Sequence, residues 1–144
     1  MGYFESADDV IACIGGLFDW ARKDPVLGPK LRGMGMIIRM VYTEPDAQIT
    51  VDCKNEPKEK GAHVGWVKGD GGGVPAEVEF HMKADVAHRF WLGKVNLLIA
   101  LTKREIKAVG PIMKVMKFLP ILKPMYEQYP KTLERLGRTA LAKV

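Results

Sequence analysis

The sequence predicts an α+β fold on a mainly antiparallel sheet. Apolar residues recur at helical spacing near the N-terminus, alternate with polar residues across residues 36–83, and return to helical spacing after Asp85. The predicted order is a helix, four strands, helices, one strand and a helix, which is typical of α+β domains. With 144 residues and 47% apolar content, the chain suits one domain spanning residues 1–144.

The first predicted element is a helix that begins after Ser6. The Ser6 side chain can cap this helix, and Asp9 places a negative charge in its first turn. Asp24 should end it, because a residue that precedes proline, here Pro25, is pushed out of the helical region. The apolar positions between them follow helical spacing: Val10, Ile11, Ile14, Leu17, Phe18 and Ala21.

Strict alternation predicts that the first two strands form a hairpin with one wet face. Residues 44–47 (Glu-Pro-Asp-Ala) between them carry turn chemistry, with proline at the second position. The apolar face is formed by Met36, Ile38, Met40 and Tyr42 in the first strand and by Ile49, Val51 and Cys53 in the second.

Two more strands are predicted, one at Val64 and Trp66 and one across residues 76–83. The second of these has the clearest alternation in the chain. The glycine-rich loop at residues 69–73 lacks the Lys-Ser/Thr pair of a phosphate loop, so we expect it to be a flexible hairpin connection.

Beyond residue 83 the pattern is mostly helical. Asp85 is expected to cap a helix that stops at Gly93, and residues 96–101 predict a short apolar helix. Residues 103–108 predict the last strand. Pro130 stands where we expect the final helix to begin.

Charge is unevenly distributed along the chain. Residues 1–82 carry 9 basic and 13 acidic residues, a net charge of −4, whereas residues 83–144 carry 13 and 4, a net charge of +9. A basic half can meet nucleic acid, anionic lipid headgroups or an acyl-CoA phosphate, or it can be a solvated face. We expect no nucleic acid, because Phe90 and Phe118 of the basic half lie in apolar runs and are better explained as buried.

Other function classes have little support. His63, His81 and His88 show no metal-ligand spacing with one another or with the cysteines, so we expect no metal and no cofactor. No nucleophile or metalloprotease motif is present, and Glu77 and Glu79 fall on the predicted wet face. The sequence therefore gives no argument for catalysis.

We also expect neither a membrane span nor a secretory signal. No window approaches the roughly 18 apolar residues of a membrane span, and no basic region precedes an apolar run at the N-terminus. Two cysteines do not make a disulfide framework, so a cytoplasmic location is the default expectation.

The stretch VGPIMKVMKFLPILKPMYEQYP (residues 109–130) combines soft apolar side chains with lysines and prolines. If residues 111–119 are helical, their apolar side chains cover an arc of roughly 220°, far wider than the roughly 100° needed to dock on a sheet. Pro120 should then break the helix. Such a segment can be ordinary core, a membrane-surface helix or the lid of an apolar pocket, and the pattern alone leaves these alternatives open.

Four features, taken in order, resemble the sterol carrier protein two family over residues 36–130. They are the strand VEFHMKAD leading into a helix that ends in Gly93-Lys94, the short helix opened by Val95-Asn96, the strand KREIKAVG, and the Met-rich helix after it. Two positions depart from the family pattern. Thr102 replaces a glycine, and Arg104 replaces an aliphatic residue, which disturbs the inner end of that strand or points a charge into a cavity.

The resemblance implies a five-stranded sheet covered on one face by helices, with an apolar tunnel between them. It implies non-catalytic binding of lipids such as fatty acids, fatty acyl-CoA, sterols or isoprenoid-like molecules. The residues expected to line the tunnel are Trp66, Phe80, Phe90, Ile112, Met113, Met116, Leu119, Leu122 and Met125. Three lysines, Lys114, Lys117 and Lys123, are expected to meet a headgroup or an anionic membrane surface.

Two other hypotheses stay open at this point. The chain can be an accessory or scaffold protein of a lipid or isoprenoid-quinone pathway, with the groove holding a partner. It can also be an enzyme of an unrecognised kind, for which Arg104 and one of the histidines are the first residues to inspect. The oligomeric state, monomer or homodimer, is left open as well.

Overall fold

The computed structural model describes residues 2–144, and its centre is a five-stranded sheet. Across the sheet the order is β3-β2-β1-β4-β5, with β1 and β4 parallel and all other neighbours antiparallel. The predicted α+β fold on a mainly antiparallel sheet is therefore confirmed. The strands are β1 (Ile37–Thr43), β2 (Ala47–Asp52), β3 (Gly65–Lys68), β4 (Val78–Lys83) and β5 (Ile106–Val109).

Residues 2–144 also form six α-helices and two 3₁₀ turns, Leu119–Leu122 and Thr139–Lys143. The first helix is capped as predicted, since the Ser6 hydroxyl accepts a hydrogen bond from the Asp9 backbone N–H at 3.1 Å. The helices are α1 (Ala7–Ala21), α2 (Leu27–Arg32), α3 (Ala84–Trp91), α4 (Leu97–Thr102), α5 (Ile112–Met116) and α6 (Lys123–Arg135).

The sheet has an apolar inner face and a polar outer face. Register places Ile38 beside Val51 and Val78, and Met40 beside Ile49 and Phe80, so the alternating apolar residues gather on the inner face, as predicted. Helices cover this face. Strands β1, β2 and β4 thus form the floor of the core.

The outer face is organised by a buried arginine. Arg39 donates to the Thr50 hydroxyl at 3.0 Å and to the Glu79 carboxylate at 3.3 Å. It also donates to the backbone carbonyls of Asp70, at 3.0 Å, and Val74, which holds the glycine-rich loop over the sheet. The prediction of a hairpin at this loop was wrong, because β3 and β4 are not neighbours and the loop is a crossover.

Several boundaries differ from the prediction near turns and prolines. The last strand begins at Ile106 and not at residue 103, because residues 103–104 form a turn in which Arg104 has a positive φ of 62°. Asp85 is not the cap of α3; its carboxylate accepts a hydrogen bond from the Tyr3 N–H at 2.9 Å. The short helix α2 was not predicted.

The final long helix begins at Lys123, and the prediction that it starts at Pro130 was wrong. Pro124 lies in its first turn, where the missing N–H has no consequence. Pro130 lies inside α6, and its cost is offset because Met125, Tyr129 and Leu133, spaced by four residues, are all fully buried.

Candidate functional site

An apolar cavity of about 100 Å³ lies between the inner face of the sheet and the helices. No charged side chain is among the described residues that line it. The lining residues are Phe18, Leu31, Met34, Ile38, Met40, Tyr42, Val51, Cys53, Phe80, Met82, Ala87, Phe90, Trp91, Leu97, Ile106, Val115, Leu119, Leu122 and Met125.

The floor of the cavity follows directly from strand register. Met40 and Tyr42 on β1 stand beside Phe80 and Met82 on β4, and Met82 stands beside Ile106 on β5. Residues two apart on a strand point to the same side, so all five side chains meet in one layer. Two of them are methionines, whose unbranched thioether chains adapt to differently shaped apolar neighbours.

The roof is aromatic on one side. The rings of Phe90 and Trp91 on α3 are 4.9 Å apart, and Trp91 also meets Phe18 of α1 at 5.7 Å, both edge to face. Tyr126 of α6 packs against Phe90 at 5.6 Å. Edge-to-face packing of this kind gives this side of the roof a defined geometry.

The opposite side of the roof is short and interrupted. It consists of Val115 on the five-residue helix α5, then Leu119 and Leu122 in the 3₁₀ turn that contains Pro120. The predicted interruption at Pro120 is confirmed. This side has few residues that are fully covered, because within residues 112–122 only Val115 is buried.

Helix α5 has apolar side chains on both of its sides. Val115 is 5% exposed and faces the cavity, whereas Met113 is 79% exposed. Ile112, Met113 and Met116 border a second depression, open to the surface, together with Leu98, Leu101, Gly110 and Pro111. We call this depression the outer groove. The wide apolar arc of the sequence thus corresponds to a thin wall between the cavity and the outer groove.

The structure divides the nine predicted lining residues into three groups. Phe80, Phe90, Leu119, Leu122 and Met125 border the cavity. Three others, Ile112, Met113 and Met116, border the outer groove.

The ninth, Trp66, lies on the inner face beside Val51 but is covered by α1. A Cβ atom placed on Gly15 of α1 would lie 2.5 Å from its ring, and its indole N–H donates to the Asp19 carboxylate at 2.9 Å. Trp66 therefore does not border the cavity.

Some cavity residues were not anticipated. Leu31 and Met34 come from the unpredicted helix α2 and the turn after it. Leu27, Leu31 and Met34 recur at intervals of four and three residues, which is helical spacing and could have revealed this element.

The three predicted headgroup lysines are exposed. Lys114 is next to Val115, Lys123 is next to Leu122, and Lys117 is two residues from Leu119, so each is close in sequence to a cavity residue. Within residues 2–144 none of the three forms an ion pair. The Lys117 ammonium lies 5.3 Å from the centre of the Phe118 ring.

The ionisable groups at the cavity are held in their neutral forms. Burial raises the pKa of the Cys53 thiol to about 12 and raises the pKa of Tyr42 as well. Cys13 does not line the cavity, and burial raises its pKa to about 11. A thiol with such a pKa is protonated near neutral pH and is a poor nucleophile.

The residues named in the enzyme hypothesis do not meet at the cavity. Arg104 is exposed in the turn before β5. His88 is fully buried, but its ring nitrogens contact the Tyr129 hydroxyl and the Leu141 carbonyl, each at 2.8 Å, and it does not line the cavity. His63 and His81 are also outside the set of residues that line it.

The described part of the chain has neither a metal-ligand cluster nor a membrane-spanning helix. No group of three or more His, Cys, Asp or Glu residues in it is arranged to hold a metal ion. None of its helices is long and apolar enough to cross a membrane.

Comparison with known proteins places the fold. Neither a protein-family model nor a curated protein matches the sequence. Among solved structures, sterol carrier protein 2 from Yarrowia lipolytica in its apo form is similar, with a TM-score of 0.60 and 19% identity over 76% of this chain and 87% of that chain.

Two more structures show the same likeness. The sterol carrier protein domain 2 of Helicoverpa armigera gives a TM-score of 0.61 and 16% identity, covering 82% of this chain and 89% of that one. A ubiquinone synthesis protein, UbiJ-SCP2, gives a TM-score of 0.52 and 15% identity, covering 76% of this chain and 84% of that one. The chain therefore has the sterol carrier protein 2 fold, which confirms the resemblance seen in the sequence at the level of fold. The tunnel that the resemblance implies stays a prediction.

Proposed function

We propose that this chain binds the apolar part of a lipid non-covalently in the cavity between its sheet and helices. The observation that carries the proposal is the uncharged, apolar lining of that cavity on a sterol carrier protein 2 fold. Ligands of this class include fatty acids, fatty acyl-CoA and sterol- or isoprenoid-like molecules. The proposed role is to bind the lipid, and a chain that carries a bound lipid can transfer it between membranes.

The driving force is removal of apolar ligand surface from water. A lipid chain that loses on the order of 300 Å² of exposed apolar surface gains about 7 kcal/mol before the costs of ordering and association. A uniformly apolar lining discriminates weakly between ligands, since one methylene contributes only about 0.8 kcal/mol. We therefore expect broad selectivity among lipids of similar length.

The cavity must enlarge to hold a whole lipid. Its volume of about 100 Å³ is below the roughly 300–1,000 Å³ typical of sites for drug-sized ligands. The roof segment from α5 to Leu122 supports such enlargement, because it is short, interrupted by Pro120 and mostly incompletely buried. The methionines of the lining can then adjust to the ligand.

We assign the polar end of the ligand to the lysines beside the roof. Lys114, Lys117 and Lys123 are exposed and carry positive charge near the cavity residues of α5 and the 3₁₀ turn. A carboxylate or a phosphate is the group that an ammonium favours at such a position. The proposal of binding without catalysis is supported by the protonated state of Cys53 and Tyr42, the two ionisable residues of the lining.

The test begins with native mass spectrometry of freshly purified protein, followed by organic extraction. We expect one lipid per chain, or binding of a fluorescent fatty acid at that stoichiometry by the delipidated protein. A chain that is empty and that also refuses fatty acids and acyl-CoA would overturn the proposal.

A pair of variants on α5 then tests the location. Val115→Phe places a ring into the cavity and should weaken fatty-acid binding about tenfold or more, whereas Met113→Phe, two residues away on the outer side, should leave it unchanged. Thermal unfolding confirms that both variants fold. Equal binding by the two variants would place the ligand elsewhere.

A further inference from the structure

The helices that close the cavity expose apolar side chains to solvent at the outer groove. Leu98 on α4 is 62% exposed and Met113 on α5 is 79% exposed, and both border the outer groove. Ile99, next to Leu98, is 52% exposed but does not border it. Leu101, Ile112 and Met116 are partly exposed beside them. Scattered single exposed apolar residues are ordinary, but a contiguous set on two adjacent helices indicates an interaction surface.

Positive charge is concentrated in the same stretch of the chain. Residues 97–117 contain five basic residues and one acidic residue, a net charge of +4. Lys103, Arg104, Lys114 and Lys117 are exposed at the end of α4 and along α5. The carboxylate of the acidic residue, Glu105, lies 3.8 Å from the guanidinium of Arg89, a residue outside this stretch. The four exposed basic residues, each within three positions of a groove residue in the sequence, are called the basic rim.

The chemistry of this surface suits an anionic lipid bilayer better than a protein. Protein interfaces are enriched in aromatic residues, methionine and arginine and depleted in lysine, and of these enriched types the groove itself has only its two methionines. The residues of the outer groove include no aromatic side chain, and its rim has three lysines and one arginine. Lysines beside an apolar face can reach anionic headgroups while the aliphatic chains enter the interface, and each adds about 1 kcal/mol.

The position of the groove relative to the cavity points to the same occupant. Leu97 and Val115 line the cavity, whereas Leu98 and Met113, on the same two helices, face outward. A bilayer in contact with the outer groove would thus be separated from the cavity by the thickness of α4 and α5 alone. A ligand that passes between these helices would move between bilayer and cavity without crossing water.

We propose that the outer groove, with its basic rim, is the surface by which this chain docks on an anionic membrane and exchanges its ligand. This inference rests on the proposed function for the ligand, but docking itself is measured separately. In this arrangement the apolar side chains of the groove enter the bilayer interface, and the basic side chains of the rim bind anionic headgroups. Docking should therefore weaken with added salt.

The experiment measures co-flotation with vesicles of phosphatidylcholine containing phosphatidylserine and with vesicles of phosphatidylcholine alone. The wild-type chain should float with the anionic vesicles and much less with the neutral ones. Leu98→Asp should reduce the partition coefficient about tenfold or more, because it places a charge at the apolar contact. Leu98 is exposed in the first turn of α4, where an acidic residue is favourable, so the variant should fold normally.

Two more variants sharpen the test. Met113→Asp should reduce flotation to a similar degree, and Lys103→Glu should reduce it on anionic vesicles only. The matched control is Val67→Asp, an exposed apolar position on β3, at the sheet edge opposite to β5, which should float like the wild type. Fatty-acid binding in buffer without vesicles should be unchanged in Leu98→Asp and Met113→Asp.

The possible failures are distinguishable. If the wild-type chain ignores anionic vesicles, or if Leu98→Asp and Met113→Asp float as it does, the docking inference is overturned. If analytical ultracentrifugation shows a dimer that Leu98→Asp dissociates and no vesicle binding is found, the groove is an interface between copies and the inference is again overturned. If the wild-type chain does not bind fatty acid, the proposed function is refuted instead. The flotation experiment then still tests membrane docking independently.

Discussion

The Nδ1 atom of His88 on α3 lies 2.8 Å from the hydroxyl of Tyr129 on α6. The Nε2 atom of the same ring lies 2.8 Å from the Leu141 carbonyl, which can only accept a hydrogen bond. Nε2 therefore carries the proton of the neutral ring, and Nδ1 accepts from the Tyr129 hydroxyl. This arrangement joins α3, α6 and the C-terminal 3₁₀ turn through one fully buried histidine.

This histidine should make folding stability depend on pH. Burial is the largest cause that lowers the pKa of His88 in the folded chain, so the unfolded chain binds the proton more readily. Stability from this source is complete above the unfolded value of about 6.5 and is lost as the pH falls below it towards the lower folded pKa. Urea unfolding between pH 5 and pH 8 should show this decrease on acidification.

A comparison of variants assigns this pH dependence to its residue. His88→Gln should flatten the dependence between about pH 5 and 7, whatever its effect on overall stability. His81 is the natural control, since its side chain is 41% exposed and contacts Glu79 on the outer face of the sheet. If His81→Gln flattened the curve and His88→Gln left it steep, the assignment would be refuted.

Arg39 should hold the glycine-rich loop on the outer face of the sheet. Arg39→Leu removes the donors for the Asp70 and Val74 carbonyls and should cost about 2 kcal/mol or more in the free energy of unfolding. Limited proteolysis within residues 69–73 should become faster in this variant. Lys54→Met, which breaks an exposed pair with Glu77, is expected to cost less than about 1 kcal/mol and to leave the loop protected.

How far the sequence predicted the fold depended on the kind of signal. Strand faces and the α1 cap were predicted well, because alternation and capping are local: Met40 and Phe80 reached the same face through period two alone. The crossover after β3 was missed because no local pattern reveals that Arg39, some 31 residues before Asp70, will bind that loop. The start of α6 was missed since tertiary burial of Tyr129 outweighed the local preference of Pro130.

The candidate site shows the same division. The wide apolar arc of residues 111–119 indicated that two sides of the helix need cover, but the period alone does not tell which side faces inward. Val115 was not among the predicted lining residues, and Met113 was, although their exposures are 5% and 79%. Which side of α5 faces inward depends on how the helix packs against the rest of the chain, which is a tertiary property.

Cys53 offers a probe of the cavity. It borders the cavity, it is 2% exposed, and burial raises its pKa to about 12, so alkylation of the native chain at pH 8 should be slow. A bound fatty acid should slow it further, because opening of the cavity and ligand binding compete. Mass spectrometry of the labelled peptides would measure both rates, with Cys13, which does not line the cavity, as the internal reference. Equal protection of the two thiols by ligand would indicate general stabilisation and not occupation of the cavity.

The contact between Gly15 and Trp66 should set the distance of α1 from the sheet. In the middle of a helix, Gly→Ala ordinarily stabilises by about 0.5–1 kcal/mol. At Gly15 the added Cβ would lie 2.5 Å from the Trp66 ring, so Gly15→Ala should instead destabilise by about 1–3 kcal/mol, measured by urea unfolding. Combining it with Trp66→Leu should recover part of the loss, because the smaller side chain leaves room for the methyl group. Additive effects of the two changes would show that the clash is not what limits the packing of α1, since residues in contact are expected to couple.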